Sequence, residues 1–196
     1  MIRLVSIVER LTVARARDFA KQGIHPQTVK RATDRGLLMK IGRGLYTPKD
    51  SAVDFERQVV LACKRVPRGI VCLKSALGWH GILPPDSRRI WMAIDRKAKK
   101  PVVDGLRLRF VRFSGDALTQ GVVNIRIHGV PVRVYSVAKT LADCLKYRRK
   151  LGVKIATLAL SESIAQRKCS KERLRHFAKI CRVERLVRAA YPRAGT

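Results

Sequence analysis

The chain has 196 residues, room for one ordinary domain or for a small module joined to a larger one. It carries 43 Lys and Arg against 14 Asp and Glu, a formal net charge of +29, yet 46% of its residues are hydrophobic. That apolar fraction excludes a disordered basic tail, and the charge, spread evenly along the chain, calls for a screening partner: nucleic acid first, an acidic protein second, an anionic membrane surface third.

Leu4, Ile7, Val8 and Leu11 fall at i, i+3, i+4 and i+7 and predict a first helix. Thr12-Val13-Ala14 is short and compatible with a strand, and Arg15 to Gln22 reads as a second helix closed by Gly23. A third helix starts at Pro26, which the first turn tolerates, and ends at Gly36. Leu37 to Ile41 and Leu45 to Thr47 are expected to pair across Gly42-Arg43-Gly44. This is the element order of a winged helix-turn-helix, in which the third helix enters the major groove and the hairpin forms the wing.

Pro48-Lys49-Asp50-Ser51 has turn chemistry and divides the chain into residues 1–50 and 51–196. A helix follows over Phe55 to Val66, then buried strands over Gly69 to Leu73 and Arg89 to Ile94, with a short helix and turn at Ser75 to Gly81 between them. Leu106 to Phe113 alternates as a strand, and Val123 to Ile127 with Val132 to Tyr135 reads as a hairpin across His128 to Pro131. From Ser136, a plausible N-cap, the period turns helical through Val137, Leu141, Cys144 and Leu145 and stays so to the end. The expected fold class is α+β: an N-terminal winged helix-turn-helix, then a mixed α/β domain with a helical C-terminus.

On a helical wheel Val29, Ala32 and Thr33 cluster, which leaves Gln27, Thr28, Lys30, Arg31, Asp34 and Arg35 around the outside of the third helix. Arg and Lys pair with guanine, Gln with adenine, and Thr with phosphate or a thymine methyl. Lys40 lies on the strand leading into the wing, and Arg43 at its tip suits a narrow minor groove. A three-helix protein-docking module with a solvated basic face is the alternative.

The run VARARDFAKQGIHPQTVKRATDRGLLMKIGRGLYTPKD, followed by VRVYSVAKTLADCLKYRRKLGVKIATLAL and LRHFAKICRVERLVRAAYP, resembles the AbiEi antitoxins of type IV toxin-antitoxin systems, also described as transcriptional regulators of viral defence systems. The resemblance implies a cytoplasmic bacterial protein whose winged domain binds double-stranded DNA at repeats in its own promoter and represses the operon. It also implies a nucleotidyltransferase-like partner toxin of AbiEii type, counteracted through the C-terminal domain in abortive infection. The DNA contacts it carries over fall on Gln27, Thr28, Lys30, Arg31, Arg35 and Arg43.

Pro85-Asp86 followed by Asp95-Arg96-Lys97 mimics the PD…(D/E)xK pattern of metal-dependent nucleases. Both acids fall at turn or strand-end positions with no third acid nearby, so a nucleic-acid enzyme is the rival reading, and a nucleic-acid binder without sequence preference the next. His25, His80, His128 and His176 are isolated, no phosphate-binding glycine motif is present, and neither a metal nor a cofactor is expected. Cys63, Cys72, Cys144, Cys169 and Cys181 form no Cys-x-x-Cys pair, the usage of a reducing compartment. With no apolar run near the ~20 residues of a membrane span and with Arg3, Glu9 and Arg10 breaking the N-terminus, a cytoplasmic location is expected. Lys139, Lys146, Arg149 and Lys150 are placed on the outer side of the helix from Val137 to Lys150, with Asp143 among them, as a second basic contact for flanking DNA or an acidic toxin.

Overall fold

The computed structural model describes residues 14–48, 55–86 and 89–190. The helix expected at Leu4 to Leu11 and the turn at 49–51 lie outside the described residues.

The N-terminal part consists of β1 (Ala14–Arg15), α1 (Ala16–Ala20), α2 (Pro26–Asp34), β2 (Leu38–Gly42) and β3 (Leu45–Pro48), with sheet order β1-β3-β2. The Asp18 carboxylate accepts the Arg15 backbone N–H at 2.7 Å and so fixes the start of α1. Before α2, His25 acts as N-cap: its Nδ1 accepts the Gln27 N–H at 3.3 Å, and Pro26 occupies the first turn. Ala14, Phe19, Val29, Ala32 and Leu38 form a small core, with Phe19 edge-on to Tyr46 at 5.7 Å.

The rest of the chain adds α3 (Phe55–Arg65), β4 (Ile70–Val71), α4 (Leu73–Trp79), β5 (Ile90–Asp95), β6 (Leu108–Phe113), α5 (Asp116–Thr119), β7 (Val122–Ile127), β8 (Val130–Tyr135), α6 (Val137–Lys146), α7 (Arg148–Leu151), α8 (Val153–Ala165), α9 (Lys171–Cys181) and α10 (Glu184–Ala190). Five strands form one mixed sheet in the order β6-β5-β4-β8-β7, with β5/β6 and β4/β8 parallel and the other pairs antiparallel. Strand alternation splits the core. Ile70, Ala93, Val111, Phe113 and Tyr135 face the C-terminal helices, whereas Val71, Met92, Ile94, Val132 and Val134 face Val59, Val60, Ala62 and Cys63 of α3. Both faces are therefore covered, the arrangement parallel pairing favours.

Several expectations change. The strand expected over Gly69 to Leu73 is only Ile70–Val71, because the chain turns at Leu73, with φ +49°, directly into α4. The β7/β8 turn is tighter than expected, a two-residue turn on His128 (φ +47°) and Gly129 (φ +74°), the backbone that matches hairpin twist. Ser136 precedes α6 without capping it, and its buried hydroxyl has no hydrogen-bond partner among the described residues.

The largest correction concerns α6. Lys139 and Asp143 do not lie on an outer face; both are 0% exposed. Lys139 Nζ bonds Asp143 Oδ2 at 2.5 Å and lies 4.2 Å from the Tyr135 ring centre and 4.6 Å from that of Phe113. The Cys181 thiol of α9 donates to the other carboxylate oxygen at 3.2 Å. α6 packs between α4, α8 and α9, so it is covered on nearly every side. A charged pair on such a helix stays ionised only by satisfying itself inside the core.

The two parts touch. The Arg15 guanidinium donates to the Lys64 carbonyl at 3.1 Å, Asp18 lies 4.0 Å from the Lys64 ammonium, and Leu45 of β3 packs with Leu61 and Leu106. Burial holds the Lys64 ammonium down to about 8, with Asp18 pulling it up and Arg15 and Arg17 pushing it further down.

Candidate nucleic-acid interface

α2 owes its orientation to two small apolar residues. Val29 and Ala32 are buried against Phe19 and Leu38, which turns Gln27, Lys30, Arg31, Asp34 and Arg35 into solvent and leaves Thr28 half-buried. Thr33 bonds its own helix, its hydroxyl donating to the Val29 carbonyl at 2.9 Å. Between α2 and the wing strands runs a cleft lined by His25, Gln27, Lys30, Asp34, Lys40 and Tyr46. The cleft brings Gln27 and Lys30 of the helix together with Lys40 of β2; Arg31, exposed on α2, and Arg35, exposed at its C-cap, do not line it.

Arg43 is exposed in a two-residue turn with Gly44, whose φ is +68°. The Gly44 carbonyl accepts the Ala16 N–H at 2.9 Å, tying the wing tip to the start of α1. Helix and wing are thus held by hydrogen bonds and a shared core. Chemically the face offers amide, ammonium and guanidinium donors, with Asp34 an acceptor among them.

In the second basic set, Lys146, Arg149 and Lys150 are exposed, and Lys139 is removed from it by burial. Lys150, 5.6 Å from the Tyr147 ring, borders a depression shared with Lys100, Arg109 and Arg112. A further basic cleft went unread in the sequence: Lys171, Arg175 and Lys179 of α9 face Glu184 and Arg188 of α10. Its signal is the i, i+4, i+8 spacing of the three cations.

Asp95 Oδ1 accepts the Lys97 backbone N–H at 2.7 Å in an exposed turn. Among the described residues no group of three or more His, Cys, Asp or Glu side chains assembles. His80 bonds the Tyr135 carbonyl through Nε2 at 2.7 Å while its own carbonyl accepts from Lys168 Nζ at 2.6 Å, and burial pushes the ring's pKa down. Cys63, Cys72, Cys144 and Cys181 are buried with raised pKa values caused first by burial, the state of inert core thiols. No helix among the described residues is long and apolar enough to cross a membrane.

The whole chain is similar in fold to the RV2827C protein from Mycobacterium tuberculosis: its crystal structure aligns with a TM-score of 0.60 at 16% identity, covering 99% of this chain and 81% of that one. No curated protein shares significant sequence similarity with the chain. Residues 3–49, the stretch that holds α2 and the wing, match the family described as "Transcriptional regulator, AbiEi antitoxin". That N-terminal region is thus similar to the AbiEi antitoxin family of transcriptional regulators.

Proposed function

We propose that the chain is a sequence-specific DNA-binding repressor that regulates its own operon and serves as the antitoxin of an AbiEi/AbiEii-type pair in the bacterial cytoplasm. The observation that carries this reading is α2. Its buried edge is reduced to Val29 and Ala32, its outward side carries Gln27, Lys30 and Arg31 with Arg35 at the C-cap, and it shares a core with the wing that presents Arg43. A helix so built presents donors to base edges, while the wing cation reaches the backbone or minor groove.

In this reading residues 1–50 read DNA, with Gln27 and Arg31 on bases and Thr28, Lys30, Arg35, Lys40 and Arg43 completing the contact. Residues 51–196 counteract a nucleotidyltransferase-like toxin, and Lys146, Arg149 and Lys150 add phosphate or acidic-protein contacts. The chain performs no catalysis of its own in this account. The test is a gel-shift titration on the operon's promoter. Gln27→Ala and Arg31→Ala each weaken promoter binding by about 1 to 3 kcal/mol and change binding to random duplex much less. Equal losses on both DNAs refute sequence reading by α2.

A further inference from the structure

One cavity, of about 560 Å³, lies away from α2 and the wing and has no part in the DNA reading above. It opens where α3 ends and β4 begins, opposite the turn that follows β5. Val66, Pro67, Ile94 and Leu118 give it apolar walls, and Arg65, Arg68, Lys99 and Arg133 ring it with positive charge. The lining contains one carboxylate, that of Asp95, and its Oδ1 is engaged by the Lys97 N–H.

The walls are built rather than loose. Arg112 reaches across from β6 and donates through Nη1 to the carbonyls of Arg96 at 2.7 Å, Ala98 at 2.8 Å and Asp95 at 3.3 Å, pinning the turn that forms one side. The Arg96 N–H donates to the Phe113 carbonyl at 2.8 Å and closes the same turn from the other end. On the opposite side Gly69 is packed so tightly that a Cβ would approach Met92 Cε at 2.7 Å and Val66 Cγ1 at 2.9 Å. Arg133 donates to the Arg68 carbonyl at 3.3 Å, so the two guanidinium residues lie at one rim.

A preformed apolar concavity with a few convergent polar groups is the form of a small-molecule site, and guanidinium groups select planar or tetrahedral oxyanions by bidentate hydrogen bonds. We propose that this cavity binds a small organic anion of the nucleotide class, its flat base against Val66, Pro67, Ile94 and Leu118 and its phosphate at Arg68, Arg133 and Lys99. Binding at this cavity is independent of DNA binding by α2, with which it shares no residue.

The experiment is an amide NMR titration of the full-length protein with adenosine monophosphate, with inorganic phosphate in parallel. The expected result is saturable binding, with shifts concentrated at the amides of residues 66–70, 95–99 and 118–119 and an affinity for the nucleotide at least about tenfold above that for phosphate. Arg68→Glu combined with Lys99→Glu changes two exposed side chains and weakens nucleotide binding by about tenfold or more without disturbing the remaining spectrum. Shifts scattered over the basic surface overturn the proposal. So do equal affinities for nucleotide and phosphate, a double variant that binds as well as wild type, or no saturation in the millimolar range.

Discussion

Replacing Lys139 by Met removes the ammonium while keeping most of the side-chain volume that packs beside Gly121, Phe113 and Tyr135. Asp143 is then left 0% exposed, with the Cys181 thiol donating to its other carboxylate oxygen. Breaking a buried pair in this way costs about 3 to 5 kcal/mol. At about 2 to 4 °C per kcal/mol for a protein of this size, the melting temperature falls by roughly 6 to 20 °C. Burial already raises the Asp143 pKa above its usual 3.8, and losing Lys139 raises it further. The folded state then binds the extra proton first, so the deficit shrinks as pH falls toward 3.8 and is largest at neutral pH. Lys139→Met with Asp143→Leu removes both charges and recovers most of the loss, because neither group is left unpaired. Thermal unfolding of the two variants and wild type at several pH values checks this, and a salt titration of DNA binding below the melting range checks that Lys139 makes no phosphate contact. A melting temperature within 2 °C of wild type for the single variant, a double variant no better than the single, or a reduced salt slope refutes the reasoning.

Four further outcomes follow. Each of Lys146→Ala, Arg149→Ala and Lys150→Ala that removes a phosphate contact lowers the slope of log K against log salt by about 1, read by fluorescence anisotropy on any duplex. Lys64→Met flattens the rise of stability between about pH 8 and 10.5, because the folded protein releases that proton earlier than the unfolded chain; chemical denaturation across this range reads it. Asp95→Ala leaves promoter binding unchanged, and purified protein with Mg²⁺ or Mn²⁺ leaves plasmid intact, whereas cleavage lost in Asp95→Ala establishes the rival enzyme. A fragment from Ser51 onward fails to shift the promoter yet rescues growth when the neighbouring toxin is expressed; since the cut exposes Leu61 and Leu106, Leu61→Lys in the fragment keeps it soluble without altering rescue.

The helix-helix-hairpin order of the N-terminal part was legible because Pro26, Gly23 and Gly36 punctuate it and because Val29 and Ala32 fall on one side of a short helix. Two strands of the sheet were legible in different ways: Arg89 to Ile94 as an apolar run, since both of its faces are covered, and Leu106 to Phe113 as alternation. The pairing of β4 with β8 and of β5 with β6 was not, since parallel neighbours distant in sequence leave no local mark. Lys139 and Asp143 misled for a physical reason: an i, i+4 Lys/Asp pair ordinarily marks a solvated helix face. The contrary signal was present in their neighbours. Ala138, Thr140, Leu141, Ala142, Cys144 and Leu145 make α6 apolar nearly all round, the pattern of a buried helix. Of the α9–α10 cleft only the i, i+4, i+8 cations of α9 leave a local mark, and the cavity beside Gly69 depends on how helices and loops meet, which no single segment encodes.

The most direct test of sequence-specific repression is competition fluorescence anisotropy of the wild-type protein on its own promoter against a shuffled duplex of equal length and composition, at physiological salt. Residues Gln27, Lys30, Arg31 and Arg35 on the open side of α2 predict a preference of about 10³ or more for the promoter. Equal affinities for the two duplexes would make the +29 charge a polyanion glue and contradict the account.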